Sequence, residues 1–155
     1  MRITTEQTKN GKIRVFADGE YSFTVSGDFW YSFSIYDDDE ISPERLSEIQ
    51  RMALVNRCIG KAYSLLARRA HSEWELRRKL SGSFDEDAVD QAIAQAKELS
   101  FLDDTRYAAD LAEELLRLKH YAPSRIRAEL LKRGVSRDDA DSALATLDFD
   151  AQREL

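Results

Sequence analysis

The chain has 155 residues, a net charge of -6, 43% hydrophobic and 34% charged side chains, the profile of a helix-rich protein with room for one ordinary domain or a small domain plus a short repeat array. Overall acidity, with a pI near 5.0, argues against a protein that coats bare nucleic acid, because phosphate binding wants positive potential. No run approaches a membrane span, the N-terminus lacks the apolar centre of a secretory signal, and the single Cys58 fits a reducing cytosol. The expectation is a cytoplasmic protein, monomeric and without membrane partners.

The first forty residues look extended. Ile13 and Val15, then Tyr21, Phe23 and Val25, alternate with polar neighbours around Asp18-Gly19, a tight-turn signal. This predicts a hairpin, to which residues 1–8 could add a third strand. The aromatic run at 27–36 fits either a strand or a short helical turn. The acidic run Asp37–Glu40 is a solvated turn before Ser42, which caps a helix opening at Pro43. It lacks the alternating ligands and central glycine of a calcium loop.

From residue 52 the period is helical. Val55, Ile59, Ala62 and Leu66 share one face of a long helix ending near Ala70. Ser72 to Glu75 is a capping box that opens a short helix with Leu76 and Leu80 inward. Ser81-Gly82 stops it, and Asp85 caps a third helix with Val89, Ala92, Ile93 and Ala96 on one side. Asp103 caps the next helix, whose predicted stripe is Tyr107, Ala108, Leu111, Leu115 and Leu118. Pro123 starts a short helix with Ile126, Leu130 and Leu131 inward, ended by Gly134. Ser136 caps the last, which buries Ala140, Ala143, Leu144 and Leu147. Residues 148–155 look like the opening of another helix.

These helices repeat. Shifting residues 62–80 by 50 places Ala62 on Ala112, Leu65 on Leu115, Leu76 on Ile126, Arg77 on Arg127 and Leu80 on Leu130; a shift of 51 then matches Asp85 to Ser136 and Asp90 to Asp141. Such a period means stacked supersecondary units, which bind macromolecules more often than they run chemistry. The fold class expected is mainly α: tandem three-helix repeats preceded by a small β-hairpin and helix segment. The divisions expected are 1–51, 52–102, 103–147 and the start of an incomplete third repeat at 148–155.

No catalytic site, metal site or cofactor is predicted. The chain has two histidines and one cysteine, too few for a structural zinc site without carboxylates, and no phosphate-binding loop. His71 and His120 fall at equivalent turns, each expected to make a surface hydrogen bond. Paired acids such as Glu113-Glu114 diverge by about 100° on a helix. The basic residues are the candidates: Arg68, Arg69, Arg77, Arg78 and Lys79 around the first short helix, and Arg117, Lys119, Arg125, Arg127, Lys132 and Arg133 around its counterpart. Repeated once per unit, they would draw a stripe suited to an acidic groove or a phosphate backbone. The competing reading is a solvated surface with helix pairs such as Arg77 with Glu73 and Lys132 with Asp138. Trp74 is expected in the inter-helix core; an exposed Trp74 would serve as an interface anchor.

The motifs LLARRAHSEWELRRKL, FLDDTRYAADL and RIRAELLKRGVS, in this order and spacing over residues 55–147, resemble the RecX family of bacterial recombination regulators. The resemblance implies a modulator, usually an inhibitor, of the RecA recombinase. Its tandem three-helix repeats would lie along the groove of the RecA–DNA filament and interfere with extension and ATP hydrolysis, contacting nucleic acid through the filament. The sequence departs from the family pattern at Ser100, where glycine is common, and at His120-Tyr121, where Lys-Gly is common. It has two complete repeats where three are typical. The alternative is a helical-repeat DNA-binding regulator acting directly on nucleic acid, as a repressor does.

Overall fold

Three antiparallel strands open the computed structural model, which describes residues 1–149: β1 (Ile3–Gln7), β2 (Lys12–Ala17) and β3 (Glu20–Ser26), in the order β1-β2-β3. Asp18 and Gly19 both take positive φ, 51° and 82°, the two-residue turn whose twist matches the flanking strands. Ile13 pairs with Val25 and Val15 with Phe23, so one sheet face carries Ile3, Ile13, Val15, Ala17 and Val25, all buried. The ambiguous aromatic run resolves as a short helix, α1 (Gly27–Tyr31), capped by Ser26. It drives Trp30 into this core at 1% exposure, edge-on to Phe23. The acidic run does more than turn the chain. Asp38 and Asp39 exchange backbone hydrogen bonds with Ile3, at 2.7 and 2.9 Å, and so cover the outer edge of β1, which would otherwise offer unpaired groups.

A single helix, α2 (Pro43–Arg68), follows, capped by Ser42 as expected. It runs unbroken from the helix expected at Pro43 into the long helix expected from residue 52. Leu46, Ile49 and Ala53 complete the core of the first compact unit, Met1–Asn56. The second unit begins at Arg57. There the buried line on α2 is Cys58, Ala62 and Leu65, whereas Ile59 and Leu66, like Val55 in the first unit, are only half-buried. The helical period was right and Ala62 lies on the buried face, but that face is centred one position away from Ile59 and Leu66.

Among the described residues the rest of this unit is five helices: α3 (Glu73–Ser81), α4 (Glu86–Glu98), α5 (Asp104–Lys119), α6 (Pro123–Lys132) and α7 (Arg137–Ala145). Ser72, Asp85, Asp103 and Ser136 cap their helices through side-chain oxygens. Leu76, Leu80, Val89, Ala92, Ile93 and Ala96 are buried in the first repeat. In the second, Tyr107, Ala108, Ala112, Leu115, Leu116, Ile126, Leu130, Val135, Ala140 and Ala143 form one cluster, with Leu111, Leu131, Leu144, Leu147 and Phe149 packed partly against it. Leu118 is a correction: it stands 56% exposed. The buried face of α5 is centred on Ala108, Ala112 and Leu115, and the last turn carries Leu118 round to the outside. The expected start of a further helix at 148–155 lies almost wholly outside the described residues. No helix among the described residues is long and apolar enough to cross a membrane.

Candidate partner-binding surface

The predicted cations cluster on and around α3 and α6, the short middle helices of the two repeats. Their positions follow from how each helix begins. The Ser72 hydroxyl oxygen accepts a hydrogen bond from the Glu75 backbone N–H at 3.1 Å, and the Ser72 backbone N–H donates one to the Glu75 carboxylate at 3.1 Å. The equivalent of Ser72 in the second repeat is Ala122, which makes no side-chain cap; Pro123 at the first helical position opens α6 instead.

Most of the predicted stripe has intramolecular work. Arg77 binds Asp90 at 2.6 Å and Arg127 binds Asp141 at 2.9 Å. These are the same pair in the two repeats, tying α3 to α4 and α6 to α7. The helix-surface pairing expected between Arg77 and Glu73 does not form: Glu73 binds Lys97. Arg69 binds Glu75 at 3.1 Å. Arg133 approaches Glu129 at 4.0 Å, and its pKa is raised, chiefly by its hydrogen bond with the Tyr107 hydroxyl. Lys79 donates to His71 at 2.9 Å. Arg78 lies over the Trp74 ring, 4.6 Å from its centroid, and Arg125 over Tyr121 at 3.7 Å. For Arg68, Arg117, Lys119 and Lys132 no acid partner is recorded among the described residues.

The two repeats meet through a polar seam that sequence reasoning missed. Ser72 Oγ donates to the carbonyl of Arg133, and the Glu73 backbone N–H donates to Asp104 at 2.8 Å. The Tyr107 hydroxyl donates to Glu75 at 2.6 Å. Burial works against the charge on Glu75, but hydrogen bonds from Tyr107, the Ser72 backbone and Arg69 outweigh it and hold its carboxyl below the usual range. Asp104 goes the other way: burial raises it, with the charges of Glu73 and Asp139 adding to the effect. The Tyr107 phenol is raised by burial and by its bond to Glu75.

His71 and Trp74 both correct the sequence reading. His71 is not a surface turn residue but 3% exposed. Its Nδ1–H donates to the Arg69 carbonyl at 2.9 Å, leaving Nε2 to accept from Lys79. Burial, with Arg69 and Lys79 nearby, lowers its pKa. His120 does sit at a turn, in the left-handed conformation that ends α5. Trp74 is 43% exposed, not core. With Glu75, Arg78 and Lys79 it lines an open groove of about 350 Å³. The recurrence of Arg77/Asp90 as Arg127/Asp141 could have revealed the ion pairs; nothing local in sequence marks the seam, whose partners Ser72 and Arg133 are 61 residues apart.

Family models for the RecX first and second three-helix domains match residues 58–95 and 103–144. Regulatory protein RecX of Caldanaerobacter subterraneus is 32% identical over 92% of this chain and 72% of that protein. The chain belongs to the RecX family. The RecX of Cronobacter sakazakii is 36% identical over 67% of this chain and 69% of its own, and that of Clostridium botulinum 28% over 99% and 72%. A crystal structure of regulatory protein RecX superposes with a TM-score of 0.78 over 99% of this chain and 77% of that one, at 22% identity. RecX from Lactobacillus salivarius gives 0.61 over 64% and 66%, at 23% identity. The likeness to both establishes a shared RecX fold. The named relatives are regulatory proteins, and among the described residues no cluster of side chains is suited to hold a metal ion.

Proposed function

We propose that this RecX chain regulates the RecA recombinase by docking its helical repeats on the RecA filament, where it slows filament extension and lowers ATP turnover. The observation that carries the reading is the pair of RecX three-helix domains at 58–95 and 103–144, each with a short cationic middle helix. The mechanism is steric and electrostatic, with no chemistry of its own: repeat helices occupy surface on the filament and hinder the next subunit. The cations not held by acids make the contacts, chiefly Arg68, Arg78, Lys79, Arg117, Lys119 and Lys132. Arg77 and Arg127 hold α3 and α6 in place, and Arg69 and Arg133, just past the ends of α2 and α6, are engaged with Glu75 and Glu129. Work beside RecA puts the protein in the cytoplasm.

The test is RecA ATPase on single-stranded DNA with and without the full chain. A marked drop at stoichiometric amounts is expected, and an unchanged rate would overturn the proposal. Direct action on DNA makes a different prediction: binding without RecA that weakens steeply with salt.

A further inference from the structure

The two repeats are not equivalent as docking elements. At the positions of Trp74, Arg78 and Lys79 on α3, the matched positions on α6 hold Ser124, Ala128 and Glu129. Glu129 lies 4.0 Å from Arg133, so its charge is turned toward its own helix. The exposed aromatic on a cationic helix therefore occurs in the first repeat alone.

Trp74 is also packed closely at its base. A Cβ placed on Gly134 would lie 2.2 Å from Trp74 Cβ and 2.5 Å from Cγ, so the base of the side chain rests directly on the backbone of the turn after α6. Arg78 stacks on the ring. A tryptophan packed at its base against a turn and stacked by Arg78, yet 43% exposed, has less conformational freedom to lose on binding than a free side chain, the property of an interface anchor. Beside it the groove offers Lys79 and Arg78, while the acid in the groove, Glu75, already accepts from Ser72, Tyr107 and Arg69. The groove thus presents an aromatic ring and cations and has one acid, which is satisfied internally.

We infer that Trp74 and Arg78 form the anchor of the partner-binding surface, and that the occupant is an acidic protein segment that seats an apolar side chain against the indole beside one or more carboxylates. The inference rests on the RecA reading and narrows it from a stripe shared by both repeats to one site on α3. Charge complementarity selects a carboxylate-bearing segment. A nucleic acid strand stacking on Trp74 is disfavoured by the chain's net charge of -6, and it becomes one outcome of the test.

Co-sedimentation with RecA filaments on single-stranded DNA would compare the full chain with Trp74→Ala, Arg78→Glu and the double variant Arg117→Glu/Lys119→Glu. Loss of an anchor weakens binding by roughly tenfold or more, and loss of peripheral charges by much less. Expected is a loss on that scale for Trp74→Ala and Arg78→Glu, exceeding the loss for the double variant. If wild type binds and Trp74→Ala binds within threefold of it (roughly, on the same scale), the anchor is refuted and the regulator reading stands. If wild type fails to bind, the regulator reading falls and the anchor with it. A second measurement leaves Trp74 intact: with Trp30→Phe, Trp74 is the sole tryptophan and its emission reports the groove. A random glutamate–tyrosine copolymer should shift that emission and poly(dT) should not; the reverse would overturn the choice of occupant.

Discussion

Gly134→Ala tests the joint between the repeats most directly. Gly134 has φ +84°, a left-handed conformation that costs an ordinary residue about 1–2 kcal/mol. The added methyl would also meet Trp74 Cβ at 2.2 Å, Cγ at 2.5 Å and Cδ2 at 2.8 Å. Rotating the indole away relieves only the ring contacts, because Cβ is fixed to the backbone of α3. The backbones must therefore separate, at the roughly 1–3 kcal/mol typical of overpacking. Together the two effects predict a loss of about 2–5 kcal/mol, a fall in midpoint of roughly 10–25 °C for a unit of about a hundred residues.

Urea unfolding of Gly134→Ala, combined with Trp74→Ala and Trp74→Gly in double-mutant cycles, separates the two effects. Trp74→Ala keeps Cβ and should rescue little. Trp74→Gly removes all three clashing atoms and should restore about 1 kcal/mol or more of the loss. The conformational cost at position 134 should remain. A Gly134→Ala protein within about 0.5 kcal/mol of wild type, or strict additivity with Trp74→Gly, would refute the reasoning.

Stability should fall as pH drops. His71 has a depressed pKa when folded, so below its ordinary value of about 6.5 the unfolded chain binds a proton that the folded chain refuses, and stability is lost down to the depressed value. Glu75, also depressed, adds a further loss at lower pH, while Asp104, raised by burial, opposes it. Urea midpoints from pH 8 to pH 5 should decline in wild type and flatten in His71→Gln; equal slopes would remove His71 as the cause. The Arg77/Asp90 and Arg127/Asp141 pairs have arginines of equal exposure, 39%. Double-mutant cycles should give similar couplings of about 0.2–1 kcal/mol, and a large difference would deny that they are the same element repeated. Leu118→Glu should change stability by less than about 0.5 kcal/mol, whereas Leu116→Ala should cost about 2–5 kcal/mol in chemical denaturation.

Helix starts were legible because a cap is complete within one turn: Ser72, Asp85, Asp103 and Ser136 each need only the backbone three residues ahead. The turn at Asp18-Gly19 is local in the same way. Periodicity located the faces of α2 and α5 but not their centres. An offset of one position, as between Leu66 and Leu65, depends on which neighbour comes closest, and that is a property of the packed repeat. His71 and Trp74 failed for a related reason. One is buried by the end of α2 and the side chain of Lys79; the other is pushed outward by a glycine turn sixty residues away. A charge pattern likewise shows where cations are, and apart from the recurrence of Arg77/Asp90 as Arg127/Asp141 it does not show which acids have already claimed them.

The seam between the repeats is polar, and this bears on function. Apolar surfaces slide over one another at little cost, but a buried hydrogen-bond network is satisfied at one registration only. Ser72 serves both repeats at once: it caps α3 through Glu75 and donates to the Arg133 carbonyl that ends α6. Tyr107 and Asp104 bring α5 to the same point. The offset between α3 and α6, and so the spacing of the cations they carry, is set by this network. Ser72→Ala removes the cap and strands the Arg133 carbonyl, at about 1–3 kcal/mol. It touches no residue proposed to meet the partner. Amide exchange should accelerate at the start of α3 and the end of α6, and binding to RecA filaments should weaken even where the variant is fully folded. Faster exchange with unaltered binding would show that the partner does not depend on the spacing between repeats.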